Sequence, residues 1–75
     1  MTLDQVKINN SVLISQITLN DMKIKRRLCD LGIYSGQTVN VLNKSVLKKT
    51  ILISVKNYTL SVQKNIAKFI EVNNE

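Results

Sequence analysis

Ile51, Ile53 and Val55 alternate with Leu52, Ser54 and Lys56, and the pair Lys56-Asn57 then turns the chain into a second alternation of Tyr58, Leu60 and Val62. This is the period of half-buried strands folded back on each other in a tight hairpin. No other feature restricts the fold as strongly, because the same short pattern recurs along the chain. Val12 to Ile17 makes a first strand, Thr38 to Lys44 carries Val39 and Val41 among polar neighbours, and Lys68 to Val72 reads as a closing strand. Ser45 to Thr50 is expected to form an exposed basic hairpin tip with Lys48 and Lys49, and Gln63 to Ala67 a single helical turn. Thr2 to Asn10 reads as a lead-in anchored by Leu3, Val6 and Ile8, while Asn73 to Glu75 is expected to fray. The pattern predicts a mainly β fold of about five short strands, closed or nearly closed as a barrel, since closure removes the exposed edges of a small sheet.

One segment departs from this pattern. Lys23-Ile24-Lys25-Arg26-Arg27-Leu28-Cys29-Asp30-Leu31-Gly32-Ile33 places Ile24, Leu28 and Leu31 at i, i+4 and i+7, an apolar stripe on a short helix. Lys23, Arg26, Arg27 and Asp30 then face water, and Met22 and Cys29 flank the stripe where they are expected to pack against the barrel. Asn20 or Asp21 serves as the N-cap, whose side-chain oxygen accepts from a free backbone N–H. Gly32 stands just past Leu31, where a left-handed residue terminates helices, and Gly36 does the same for the turn into the next strand.

A chain of 75 residues makes one domain, residues 1–75, and buries only about two-thirds of the surface exposed on unfolding. No room remains for a catalytic cleft between domains. Histidine is absent, and Asp4, Asp21, Asp30, Glu71 and Glu75 are scattered rather than clustered, so no enzyme, cofactor or catalytic residue is expected. Cys29 is the only cysteine, which excludes an internal disulfide and a thiolate-built metal site and suits a reducing, cytoplasmic compartment. No apolar run approaches the roughly 18 residues required to span a bilayer, so membrane insertion is not expected.

Eleven Lys and Arg against five Asp and Glu give a formal charge of +6, an excess that favours an acidic partner surface, nucleic acid or anionic lipid. Two arginines and three aromatic residues, Tyr34, Tyr58 and Phe69, are few for a nucleic-acid binder. The sharper candidate is the basic helix. Lys23, Lys25, Arg26 and Arg27 can dock on an acidic protein face, with Asp30 either orienting Arg27 or making a surface ion pair. A solvated helix face is the bland alternative for the same residues. Pairing of two copies through an exposed edge or through Met22 and Cys29 is left open.

Arg26-Arg27-Leu28-Cys29-Asp30-Leu31-Gly32-Ile33, followed by Gly36 and the strand Val39-Asn40-Val41, resembles the FeoA domain of bacterial ferrous-iron uptake systems. Thr2-Leu3, Tyr58-Thr59-Leu60-Ser61-Val62, Ala67 and Ile70-Glu71-Val72 extend the resemblance over nearly the whole chain. It implies an SH3-like β-barrel with a short α-helix and a further helical turn, in a small cytosolic protein acting with FeoB, the Fe²⁺ transporter of the membrane. Ser35 stands where a proline is common in the family, Gln63 replaces an arginine, and Ser45 to Thr50 lacks the family's Pro-Leu-Gly-Asp-Pro-like loop. The alternative reading is a basic SH3-like module that binds nucleic acid or belongs to a metal-responsive regulator.

Overall fold

The computed structural model describes residues 1–74. After a 3-10 turn at Leu3–Gln5, the chain runs through β1 (Ser11–Ile17), α1 (Met22–Asp30), β2 (Thr38–Ser45), β3 (Thr50–Val55), β4 (Tyr58–Gln63), α2 (Lys64–Ala67) and β5 (Ile70–Asn74). The five strands form one antiparallel sheet in the order β4-β3-β2-β1-β5. The mainly β architecture of five short strands expected from the alternation is therefore present, and it has the SH3-like form that the family resemblance implies. Its outer strands, β4 and β5, share no ladder, so the sheet stays open where the sequence favoured closure.

The open ends are protected in other ways. Thr2 bridges to Glu71, and the Val72 N–H donates to the Met1 carbonyl at 2.8 Å, so the lead-in covers the outer side of β5. The turn α2 lies against β4, β3 and the Leu3–Gln5 turn, and it inserts fully buried Ala67 into the core. The lead-in occupies backbone groups of β5 that an exposed edge would present to other chains, and α2 screens the other end of the sheet by packing.

Alternation decides what the sheet buries. Val39 and Val41 of β2, Ile51, Ile53 and Val55 of β3, Val12 and Ile14 of β1, and Ile70 and Val72 of β5 all point into one core with Leu3, Val6, Leu28 and Ile33. Ile8 is exposed, so only two of the three expected anchors in the lead-in serve as such. β4 buries Val62 but leaves Leu60 half-buried and Tyr58 exposed, since an outer strand has a neighbour on one side only. The closing strand runs Ile70–Asn74 rather than from Lys68: Lys68 caps α2 in helical conformation, and Asn73 and Asn74 pair with Leu13 and Val12 instead of fraying. Glu75 lies outside the described residues.

Two register shifts bend the sheet. One lies between Ile14 and Gln16 of β1, where the Ser15 hydroxyl donates to the Glu71 carbonyl at 3.0 Å, and the other between Val41 and Asn43 of β2.

Asp21 is the N-cap of α1. One carboxylate oxygen accepts from the Lys23 and Ile24 N–H groups at 3.0 and 3.2 Å. Asp21→Ala leaves these donors to water and is expected to lower stability by about 1 kcal/mol, a loss read as a lower denaturant midpoint at unchanged slope. Asp21→Asn, which keeps an acceptor, should recover most of it.

Candidate functional site

The helix α1 owes its position to its C-terminus. Leu31 is the last residue of helical conformation, Gly32 follows at φ 95°, and Ile33 enters the core fully buried. The Gly32 N–H donates to the Cys29 carbonyl at 3.0 Å and the Ile33 N–H to the Leu28 carbonyl at 2.8 Å. These paired bonds define a Schellman cap, and they set buried Ile33 just beyond buried Leu28. The Tyr58 hydroxyl donates to the Leu31 carbonyl, so the β3–β4 turn closes over the same helix end. Lys56 stands 5.6 Å from the centre of the Tyr34 ring, which ties this turn to the loop after α1, and within that loop Gln37 Nε2 donates to the Tyr34 hydroxyl at 3.3 Å.

The helix meets the sheet obliquely. Of the expected stripe, Leu28 is buried, Ile24 half-buried and Leu31 40% exposed. Leu31 instead borders an apolar groove between α1 and β4, shared with Ile24, Leu28, Leu60 and Ile66. The sequence places Leu31 on the apolar stripe and Leu60 in a half-buried alternation, and the two meet in this groove because β4 is an outer strand. Met22, 72% exposed, and Cys29, also exposed, do not pack against the sheet as expected. Both lie off the narrow face that the Leu28 contact allows.

The basic residues divide between the two flanks of α1. Lys23, Lys25 and Arg26 surround a shallow depression beside Met22, and half-buried Lys25 also reaches the margin of a second one lined by Ser15, Gln16 and Tyr34 of the β1 side. Arg27 stands on the opposite flank, at the mouth of the apolar groove. Asp30 is exposed and, among the described residues, pairs with neither Arg26 nor Arg27. Gly32 and Gly36 both adopt φ 95°, as their turn roles require. Among the described residues, no three Asp, Glu or Cys side chains converge as a metal site requires, and no helix is long and apolar enough to cross a membrane. The arrangement suits recognition: the Arg27 guanidinium beside an apolar groove, with further cations on the other flank of the helix, can bind an acidic, partly apolar surface.

A family model described as the FeoA domain matches residues 1–74. No curated protein gives a significant sequence match. Among solved structures, the FeoA protein from Chlorobium tepidum is 26% identical with a TM-score of 0.90, the match covering 99% of this chain and 70% of that one. A FeoA-like protein from Clostridium acetobutylicum is 28% identical with a TM-score of 0.84, covering 99% and 85%. A manganese-dependent transcriptional repressor, 17% identical with a TM-score of 0.92, shares the fold over all of this chain and 36% of its own length.

Proposed function

Because the chain belongs to the FeoA-domain family, which is linked to iron uptake, we propose that it is a non-enzymatic accessory protein that docks on the cytosolic part of a FeoB-like membrane transporter. The observation that carries this reading is the pairing of Arg27 with the groove of Ile24, Leu28, Leu31, Leu60 and Ile66. An apolar groove with a cation at its mouth recognises a segment that presents an aliphatic face next to a carboxylate. Lys23, Lys25 and Arg26 on the far flank add attraction that speeds encounter and aligns the partner. Asp30, exposed at the last position of the helix, adds a negative charge that a partner must accommodate.

The test is a calorimetric titration against the cytosolic domain of the FeoB-like transporter from the same organism, at low and moderate salt. Binding is expected, and it should weaken with salt. The variant Lys23→Glu/Arg26→Glu/Arg27→Glu should bind at least about tenfold more weakly, with an unchanged melting curve because all three residues are exposed. Unchanged affinity in that variant removes α1 from the mechanism, and an absence of binding by the parent protein removes this partner.

A further inference from the structure

A second surface owes nothing to α1. The four residues between β2 and β3 form a turn whose apex is Val46-Leu47, exposed to 87% and 96%. Aliphatic residues are foreign to such a position, where Gly, Asn, Asp and Pro ordinarily stand. The turn is nonetheless well defined. Its base is the pair Ser45–Thr50, the Lys48 N–H donates to the Ser45 hydroxyl at 3.2 Å, and Lys49 takes φ 53° to bring the chain into β3. This geometry fixes Val46 and Leu47 outward, so they cannot turn back to join the core.

The surroundings of the apex are basic. Lys44, Lys48, Lys49, Lys64 and Lys68 line two adjoining clefts at its base, and α2 is held there by the Lys64 N–H donating to the Lys49 carbonyl at 2.9 Å. The one carboxylate in either cleft, Asp4, accepts from the Thr2 hydroxyl, and Lys44 Nζ donates at 3.1 Å to the Asp4 backbone carbonyl rather than to its side chain. No aromatic residue or arginine lines the clefts. Nothing there can stack on a base or grip a phosphodiester bidentately, which disfavours nucleic acid.

We propose that the β2–β3 tip is a reversible docking device for an anionic lipid surface, in which Val46 and Leu47 enter the headgroup–acyl boundary while the five lysines meet lipid phosphates. Apolar insertion and electrostatic attraction reinforce each other in interfacial binding, and neither suffices alone for a protein of this size. Each lysine brought against an anionic surface strengthens binding roughly fivefold, and each aliphatic side chain withdrawn from water roughly tenfold. The proposal is independent of transporter docking, since its ligand is a bilayer without protein.

The test is co-sedimentation of the full chain with vesicles of phosphatidylcholine alone and with phosphatidylglycerol added. Binding is expected only to the anionic vesicles and should fall as salt rises. Val46→Ser/Leu47→Ser and Lys48→Glu/Lys49→Glu should each reduce it at least about tenfold, with melting curves unchanged. The triple substitution in α1 should reduce it far less. Absence of sedimentation, equal sedimentation with neutral vesicles, or tip variants that bind like the parent would overturn the proposal. So would a gel shift with DNA or RNA at a salt concentration where vesicles are not bound.

Discussion

Gly32→Ala is expected to lower the melting temperature by about 8–40 °C, whereas Gly36→Ala should lower it by only about 4–16 °C. Both glycines sit at φ 95°, a conformation that a side chain disfavours by roughly 1–2 kcal/mol. Their surroundings differ. A Cβ on Gly32 would stand 2.8 Å from the Tyr58 hydroxyl oxygen and 3.1 Å from Val55 Cγ1, while one on Gly36 meets nothing within 4 Å. Tyr58 cannot withdraw without giving up its bond to the Leu31 carbonyl, and Val55 is fully buried. Crowding of this kind adds about 1–3 kcal/mol, and each kcal/mol shifts the melting point of a domain this small by about 4–8 °C. Gly32→Val should be worse still. Thermal unfolding of the two alanine variants decides the matter, and equal losses would mean that the close approach of Tyr58 to Gly32 relaxes at no cost.

Ile33→Ala should be the most damaging single truncation near the helix, costing about 2–5 kcal/mol. Total stability of a small domain lies near the low end of roughly 5–15 kcal/mol, so a large part of it would be lost. Ile33 is fully exposed to the core and fully hidden from water, and it is the residue through which the Schellman cap is anchored. Ile33→Val, which removes one methylene, should cost only about 0.5–1.5 kcal/mol. The local consequence distinguishes this site from other core positions. The helix has one buried residue of its own, Leu28, so loss of the Ile33 contact should release α1 before the sheet. Amide exchange should therefore rise in Met22–Asp30 more than in β2 and β3. Uniform loss of protection would show that α1 and the sheet unfold as one unit.

Local regularities were legible without the structure. The hairpin around Lys56-Asn57 forms at the expected position, with Val55 opposite Tyr58. The left-handed Gly32 follows from its place after the apolar stripe, and the N-cap falls on Asp21, one of the two residues that sequence allowed. The candidate site was legible in part. The basic residues are indeed exposed except Lys25, but their division into two flanks was not foreseen, because a helical wheel gives angles and not the direction from which the sheet approaches. For the same reason the wheel does not show that Leu31, Met22 and Cys29 stay exposed. The exposure of Val46-Leu47 is not legible in the sequence, where two aliphatic residues between strands look like any half-buried pair.

The sequence alone determined what depends on neighbours a few residues apart: strand period, helix cap, helix stop and the tight turn. These are set by the backbone preferences of Asp21, Gly32 and Asn57 and by alternation within each run, with Lys56 held at φ 54° by the two strands it joins. Tertiary structure decided the strand order, the pairing of β1 with β5 across contacts such as Ser15 to Glu71, the open edge between β4 and β5, and the groove that this edge makes with α1. Those features join segments far apart along the chain, where no short-range preference acts, and only the packing of one shared core selects among the alternatives.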